Sequence, residues 1–201
     1  MTRSHERTPE PKTLGVLSVQ GAFARHAEVL AALGHRVRLV REPRDFADLL
    51  GLILPGGEST VQLDLIGRNG LSAPLLDLVR AGRPVLATCA GLILLAHAVS
   101  QPAQRSLDVL DVDVARNAYG RQLDSFEANS DEALPGARNA PSEPLRLVFI
   151  RAPRIERVGP GVEVLLRHRG EPVLVRQRNI TAATFHPELT LDRRVHDLVF
   201  A

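Results

Sequence analysis

The stretch PVLATCAGLILLAH, residues 84–97, predicts a buried strand joined to a helix through a sharp corner. Residues 84–88 are almost continuously apolar, which is typical of a strand covered on both faces of a parallel sheet. An Ala-Gly step follows the corner, and the apolar residues of 90–98 then recur with helical spacing. The only cysteine of the chain, Cys89, stands at the corner itself. A strand that passes directly into a helix is the repeating unit of an α/β fold.

The residues before this stretch repeat the same alternation. Strands are predicted at 14–20, 36–40, 51–55 and 84–88, and helices at 22–34, 43–50, 58–68, 71–82 and 90–98. Because nearly continuous apolar strands alternate with helices, we expect an α/β fold with a mostly parallel sheet and helices on both faces.

The second half of the chain consists of short alternating segments without long helices between them. These segments lie at 107–117, 122–129, 145–153, 162–168, 171–178 and 180–186, with a final helix near 191–200. They predict antiparallel hairpins appended to the parallel sheet. Residues 130–144 are rich in proline and polar side chains, which indicates an exposed loop.

Composition and charge exclude several classes of protein. Of the 201 residues, 44% are hydrophobic and 24% charged, which fits one domain at 13–201 behind a disordered N-terminal extension at 1–12. The net charge of +2 is spread along the chain and aromatic residues make up 3%, so we expect no nucleic-acid binding. No apolar run of about eighteen residues and no apolar signal segment occur, so we expect no membrane span and no secretion. A single cysteine cannot form an internal disulfide and suits a reducing cytoplasm.

Cys89 occupies a position that suits a nucleophile. The thiolate is the reactive form of cysteine, and backbone N–H groups at the start of a helix favour an anion and can hold an oxyanion. Small neighbouring residues permit the strand-turn-helix geometry of a nucleophile elbow. Free cysteine is also among the most buried residue types, so this segment alone leaves open whether Cys89 reacts or only packs.

His186 and Glu188, in the stretch TFHPEL at residues 184–189, are the candidate partners of that thiol. An imidazole at the end of an apolar strand could take the thiol proton, while the carboxylate two residues later fixes its tautomer. In a protein without catalysis, His186 would be a strand-end histidine and Glu188 would cap the helix that starts near Thr190. The other histidines lack a carboxylate in a comparable strand-end setting, except that His196 precedes Asp197 inside a predicted helix. No metal-binding spacing of His or Cys occurs.

A third motif is LPGGEST, residues 54–60, at the end of a strand and the start of a helix. Two glycines let backbone approach a ligand closely, but alone the motif is equally a plain turn with Glu58 or Ser59 at a helix start. It is not a P-loop, because no Lys-Ser/Thr follows a GxxxxG. Ligands of open parallel sheets bind beyond the carboxyl ends of the strands, where all three motifs fall. The motif is therefore placed to supply a second oxyanion N–H, and Gln20 at the same edge would help to hold it once a partner docks.

The three motifs in this order resemble the class I, triad-type glutamine amidotransferases, and most of all the glutaminase subunits of pyridoxal 5′-phosphate synthase. The likeness extends from about residue 14 to residue 200, and it rests on GVLSVQGAFARH, GLILPGGEST, TCAGLILLA, RNAYGRQLDSFEA, FIRAP and FHPELT. It implies a class I glutamine amidotransferase-like fold with a flavodoxin-like core.

The resemblance also implies catalytic roles for the matching residues. Cys89 would attack the side-chain amide carbon of glutamine, His186 would act as general base and then as acid, and Glu188 would orient the imidazole. The backbone N–H groups of Gly57 and Ala90 would bind the oxyanion.

The implied substrate-binding residues come from three separate segments. They are Gly57, Glu58, Ser59, Arg116, Ile150 and Arg151. An arginine clamp for an α-carboxylate is physically sensible, although the residue pattern alone favours solvated strand-edge charges at Arg116 and Arg151.

The function implied is a cytoplasmic glutaminase that hydrolyses L-glutamine to L-glutamate and ammonia. The ammonia would pass to a separate synthase (lyase) subunit that makes pyridoxal 5′-phosphate, and the chain itself would need no metal or cofactor. Two alternatives stay open: a glutaminase subunit of another synthase, such as imidazole glycerol phosphate synthase, and a non-catalytic interaction protein with the same fold and an inert Cys89.

Two features depart from the family pattern. Ala87 stands where the family usually has glycine, and because alanine has the next smallest side chain we expect the change to be tolerated. The loop at 130–144 is longer than expected, which affects the geometry between the hairpins but none of the proposed catalytic residues.

Overall fold

The computed structural model describes residues 11–116, 125–136 and 143–201, and within them the chain forms twelve strands and five α-helices. The strands are β1 (Thr13–Leu17), β2 (Arg36–Val40), β3 (Gly51–Leu54), β4 (Val85–Thr88), β5 (Ala96–Ser100), β6 (Leu110–Ala115), β7 (Ser125–Ala133), β8 (Pro144–Ile150), β9 (Arg154–Val158), β10 (Glu163–His168), β11 (Glu171–Gln177) and β12 (Ile180–Ala183). The α-helices are α1 (Phe23–Ala32), α2 (Ser59–Arg68), α3 (Ser72–Arg80), α4 (Ala90–Leu95) and α5 (Arg194–Phe200), and two short 3-10 helices lie at Pro43–Phe46 and Pro187–Leu189.

The central sheet has seven strands in the order β10-β11-β12-β4-β3-β1-β2. The five strands from β12 to β2 are parallel to their neighbours, and β11 and β10 extend the sheet as antiparallel strands. All residues of β3, β4 and β12 are buried, as the continuous apolar runs of a parallel sheet covered on both faces require. The predicted α/β fold with a mostly parallel sheet is therefore confirmed.

Helices cover both faces of this sheet because successive residues of each strand point to opposite faces. Leu52 and Leu54 of β3 pack into one hydrophobic cluster together with residues of α2, α3 and α4. Ile53 between them packs into the opposite cluster with residues of α1 and α5. The two clusters show which face of the sheet each helix covers.

Two smaller sheets account for the rest of the second half. Strands β5, β6 and β9 form a three-stranded sheet, and β7 pairs with β8 in an antiparallel hairpin. The predicted antiparallel hairpins are present as β7-β8 and as β10-β11, which extends the edge of the central sheet, whereas β12 joins that sheet as a parallel strand beside β4. Short apolar segments carry no signal for the sheet they join, because any free edge can pair with them.

The predicted helix at 90–98 also needs correction. It ends at Leu95, and the chain continues as β5, which pairs with β6 in parallel. An apolar run of this length fits a buried helix or a buried strand equally, so periodicity could not place the boundary. Strand β9 was not predicted either.

The remaining segments lie near the ends of the described ranges. Residues 130–133, predicted as loop, continue β7, where Ser130 Oγ accepts a hydrogen bond of 2.8 Å from the backbone of Leu145 in β8. Residues 137–142 of that predicted loop, and residues 1–10 of the predicted N-terminal extension, lie outside the described residues. No helix in the described parts of the chain is long and apolar enough to cross a membrane.

Candidate active site

Four adjacent parallel strands end at one edge of the central sheet, and each is followed by a candidate functional segment. Gln20 follows β1, the Gly56-Gly57 turn follows β3, Cys89 follows β4 and His186 follows β12. Parallel strands bring their carboxyl ends together at one edge. The segments, far apart in sequence, therefore meet there.

Cys89 lies at a strained corner between β4 and α4. Its backbone has φ 50° and ψ −103°, a conformation that residues with a Cβ seldom adopt, and its N–H donates a 2.8 Å hydrogen bond to the carbonyl of Ala183. A methyl group added at Gly91 would overlap the carbonyl oxygen of Leu54, so only glycine lets α4 start this close to β3. The corner holds the Cys89 side chain, 6% exposed, at the sheet edge.

His186 and Glu188 form a buried pair next to this thiol. Nδ1 of His186 lies 2.7 Å from Oε1 of Glu188, and His186 lines the same cavity as Cys89, close enough for the thiol to raise the pKa of the imidazole. The backbone explains the arrangement: the His186 N–H is held by the carbonyl of Val148 at 2.8 Å, and Pro187 then starts the short 3-10 helix that carries Glu188. Thiol, imidazole and carboxylate thus form one line of contacts.

His186 and Glu188 each stabilise the charged form of the other. Burial lowers the pKa of His186, but its hydrogen bonds to Cys89 and Glu188 outweigh that effect and raise the pKa to about 10. Burial raises the pKa of Glu188, but the neighbouring His26 and the hydrogen bond to His186 outweigh it, so the pKa is lowered. At neutral pH the arrangement therefore favours an imidazolium at His186 beside an ionised Glu188 carboxylate.

The Gly56-Gly57 turn packs directly against His186. The carbonyl of Gly56 accepts a 2.9 Å hydrogen bond from the Ala22 N–H. The N–H of Gly56 donates a 3.1 Å hydrogen bond to Oγ1 of Thr88. A methyl group added at Gly56 would overlap the His186 ring, so glycine is required by close approach. Since C=O and N–H point in opposite directions across a trans peptide, the Gly57 N–H points away from Ala22.

A charged pair lies beside the turn. Nη2 of Arg116 is 2.9 Å from Oε1 of Glu58, and the Arg116 side chain is 14% exposed. A hydrogen bond from the Thr60 hydroxyl lowers the pKa of Glu58, which keeps the carboxylate charged. Oε1 of Gln20 accepts a 2.9 Å hydrogen bond from the Glu58 N–H, so Gln20 holds the turn in the chain alone. A cation and an anion side by side match the carboxylate and ammonium of an α-amino acid.

These residues surround one cavity of about 260 Å³. It is lined by Gln20, Ala22, Gly56, Gly57, Glu58, Ser59, Cys89, Ile93, Arg116, Ile150, Arg151 and His186. Every residue predicted to bind substrate is among them. Of the other predicted residues, Glu188 lies behind His186, and Ala90 follows Cys89 as the first residue of α4.

Ile150 and Arg151 reach the cavity from the end of β8. The carbonyl of Ile150 lies 3.9 Å from the Cys89 sulfur, and Arg151 has a left-handed backbone with φ 43°. Ser59 is almost fully buried and donates a 2.8 Å hydrogen bond to Gln104. The hairpin β7-β8 therefore supplies one wall of the cavity, although its sequence pattern resembles an ordinary exposed hairpin.

Sequence reasoning missed the residues behind the cavity. His26 of α1 lies 3.3 Å from Oε2 of Glu188, a residue 162 positions away in the sequence. His196 lies 3.0 Å from His26, and Thr88 contacts both His26 and the Gly56 turn. Such contacts leave no local signal, because the helices that carry them meet only in the folded protein. Within the described residues no group of three or more His, Cys, Asp or Glu side chains could hold a metal ion.

Comparisons with known proteins show the family that the chain resembles. The SNO glutamine amidotransferase family matches residues 16–201. The chain is 49% identical over 185 residues to the pyridoxal 5′-phosphate synthase subunit PdxT of Koribacter versatilis, covering 92% of each chain. It is 50% identical to the subunit of the same name from Cutibacterium acnes, covering 91% of this chain and 92% of that one.

Solved structures show the same fold. A crystal structure described as a glutamine amidotransferase aligns with a TM-score of 0.84 at 41% identity, covering 94% of this chain and 99% of that chain. The structure of PurLQS from Thermotoga maritima aligns with a TM-score of 0.70 at 16% identity over 94% of this chain and 97% of that chain, which is a likeness of fold alone.

Proposed function

Since the chain belongs to the SNO glutamine amidotransferase family, we propose that Cys89, His186 and Glu188 are the triad with which it hydrolyses glutamine. The chain is a glutaminase subunit of pyridoxal 5′-phosphate synthase and works with the synthase subunit of that enzyme. The observation that carries the triad is the line of contacts from Cys89 through His186 to Glu188 at the wall of a cavity that also contains the Arg116–Glu58 pair.

The chemistry follows from the positions of the protons. The Cys89 thiolate attacks the side-chain amide carbon of L-glutamine, and the amide oxygen becomes an oxyanion. His186 gives its proton to the leaving nitrogen, which departs as ammonia and leaves a glutamyl thioester. His186 then takes a proton from water, the hydroxide attacks the thioester, and L-glutamate is released as the thiolate re-forms. Glu188 holds the imidazole through Nδ1, so that its other nitrogen faces the sulfur.

Two backbone N–H groups are the proposed oxyanion donors. The Gly57 N–H lies in the turn against His186, and the Ala90 N–H belongs to the first residue of α4, where no preceding turn supplies a partner. Donors fixed in place before the reaction stabilise the developing charge without reorganisation.

Arg116 and Glu58 fit the amino-acid end of the substrate. Arg116 would bind the α-carboxylate and Glu58 the α-ammonium, while the side chain extends towards Cys89. Gly57, Ser59, Ile150 and Arg151 line the remaining walls. Recognition of both charges selects a free amino acid over a peptide.

The ammonia released would pass to the synthase subunit in the cytoplasm. A reducing compartment suits a lone cysteine that must stay a thiol. The identity of 49–50% to proteins named as PdxT subunits favours this synthase over that of imidazole glycerol phosphate. The contacts of Cys89 with His186 disfavour the alternative of an inert interaction protein.

The test is ammonia release from L-glutamine by the chain together with its synthase subunit. We expect Cys89→Ala to lower the rate of ammonia release about 10⁴-fold or more, while the far-UV circular dichroism spectrum is unchanged. A folded Cys89→Ala protein that hydrolyses glutamine at the wild-type rate would exclude the proposed nucleophile.

A further inference from the structure

A buried imidazole of α1 lies behind the proposed triad. His26 is fully buried and does not line the cavity, so it contacts no substrate. Its Nε2 is 3.3 Å from Oε2 of Glu188 and 3.2 Å from Oγ1 of Thr88. Its Nδ1 is 3.0 Å from Nε2 of His196 in α5. The ring thus connects two helices to the two strand ends that carry Cys89 and His186.

The Glu188 carboxylate needs such a neighbour. Its side chain has no exposed surface, and a buried carboxylate is costly unless polar groups compensate its charge. Oε1 is engaged by His186, whereas Oε2 accepts no well-aligned hydrogen bond from the described residues. Nε2 of His26 hydrogen-bonds Oγ1 of Thr88, so its N–H is not aligned with Oε2 of Glu188. An N–H at that position stabilises the charge electrostatically.

The contacts of His26 determine which nitrogen carries its proton. Burial lowers its pKa, so the ring is neutral and has one N–H. If Nδ1 carried the proton, an unprotonated Nε2 would face the Glu188 carboxylate, and two electron-rich groups would repel. With the proton on Nε2, Nδ1 accepts from the N–H of His196. Nδ1 of His196, buried without a partner, is then an unpaired acceptor rather than the rarer orphaned donor.

We propose that His26 is a positioning residue of this glutaminase, whose Nε2–H keeps Glu188 ionised and directed at His186. The proposal rests on the proposed triad, through which His26 acts. Thr88 extends the effect, because its hydroxyl accepts both from His26 and from the Gly56 N–H beside the oxyanion site. His196 fixes the tautomer from the far side.

The pH dependence follows from all groups that face Glu188 and His26. They are His186 beside Glu188, Cys89 beside His186, the Thr88 hydroxyl from β4 and His196 from α5. His26 places a ring nitrogen 3.3 Å from Oε2 and has the largest effect of the neighbouring groups that lower the pKa of Glu188. Without it the pKa of Glu188 rises, so Glu188 becomes protonated and stops orienting His186 at a higher pH than in the wild type.

The experiment compares two amides of different length at position 26, in complex with the synthase subunit. The His26→Gln amide reaches the position of Nε2, whereas the His26→Asn amide reaches only that of Nδ1. We expect kcat to fall about 10- to 100-fold in His26→Asn with KM for glutamine within about twofold, and to recover most of this loss in His26→Gln. The acid limb of the kcat–pH profile should move to higher pH in His26→Asn and stay in place in His26→Gln.

Leu30→Ala is the matched control, because Leu30 is the other buried residue of α1. It should lower the melting temperature while kcat and the acid limb stay as in the wild type. Equal kcat in His26→Asn and the wild type, or equal losses in both amide variants with an unmoved acid limb, would overturn the proposal.

A measurement on the wild type keeps the test valid if the variants do not fold. Nitrogen NMR of the ¹⁵N-histidine-labelled complex should show the proton of His26 on Nε2, and a proton on Nδ1 would refute the proposal. Failure of the proposed function is distinguishable, because ammonia release would then be absent from the wild type or would persist in Cys89→Ala.

Discussion

Two of the histidine–carboxylate pairs among the described residues have nearly the same N···O distance and lie at opposite edges of the central sheet. His186 and Glu188 are 2.7 Å apart at the carboxyl end of β12, and His97 and Asp108 are 2.8 Å apart near its amino end. The side chains of the first pair are 8% and 0% exposed, and those of the second are 54% and 63% exposed.

The carboxylate helps to raise the histidine pKa in both pairs, yet only one pair adjoins a nucleophile. Asp108 raises the pKa of His97 through a hydrogen bond and its charge, where solvent screens the interaction. His186 has a thiol on its other side, a glycine turn packed on its ring and a buried carboxylate behind it. A histidine–carboxylate contact is therefore not by itself a sign of a reactive site. What distinguishes His186 and Glu188 is that they are buried next to the Cys89 thiol.

The largest effect should come from replacing the two histidines in parallel. We expect His186→Asn to reduce kcat for glutamine hydrolysis by about 10⁴-fold, because the reaction loses both its base and its acid. His97→Asn should leave kcat and KM unchanged. Steady-state ammonia release with saturating synthase subunit measures both, and a comparable loss in His97→Asn would remove the distinction between the pairs.

Replacing the carboxylates Glu188 and Asp108 tests the difference between the two pairs through the pH dependence of kcat/KM. Glu188→Gln should lower kcat roughly 10²- to 10³-fold. The raised pKa of His186 keeps it protonated until about pH 10, so wild-type activity should fall as pH rises through that region. Without the Glu188 charge the His186 pKa falls, and the alkaline limb of kcat/KM should move to lower pH. Asp108→Asn should move neither limb, and an unmoved limb in Glu188→Gln would contradict its assigned role.

Two glycine substitutions test the packing around His186. The methyl group of Gly56→Ala would overlap the His186 ring, and a displacement of about 1 Å at a reacting group can reduce kcat about 10²-fold. Gly67 in α2 has open space at the same position, so Gly67→Ala should keep full activity and stabilise the protein by about 0.5–1 kcal/mol. Kinetics and urea unfolding of both variants check this, and normal kcat in Gly56→Ala would show that the turn can move aside.

The smallest effect should be confined to substrate binding. Arg116→Ala should raise KM for glutamine by roughly 10- to 100-fold with little change in kcat, because the contact is made equally in ground and transition states. Arg157, which pairs with Asp111 and Asp113 on the three-stranded sheet, is the control, and Arg157→Ala should leave KM unchanged. A large fall in kcat with unchanged KM would place Arg116 in the chemistry rather than in binding.

Much of the parallel half of the fold could be predicted from local pattern. Strand β2 occupies the predicted residues, and β3 and β4 lie within theirs. The last two are fully buried strands, which leave continuous apolar runs. Strand β5 could not be predicted, because the apolar residues after Cys89 fit helix and strand equally. The parallel pairing of β12 with β4 could not be predicted either, since pairing depends on which edge is free.

The site divides in the same way. Cys89, His186 and the Gly56-Gly57 turn were predicted because each stands at the end of a strand whose position the pattern reveals. His26 was passed over, because its carboxylate partner is distant in sequence and reaches it only when α1 packs beside the 3-10 helix of Glu188.

The sequence by itself determined the alternation of strands and helices up to Cys89, the small residues at the Cys89 corner and the residue types of the site, since these depend on local sterics and on the period of apolar residues. Tertiary structure decided the rest. It joined β12 to β4, so that His186 meets Cys89, and it buried Glu188 against His26. The physical reason is that these contacts arise between strand edges and helix faces with many possible partners, and only the packing of the whole core selects among them.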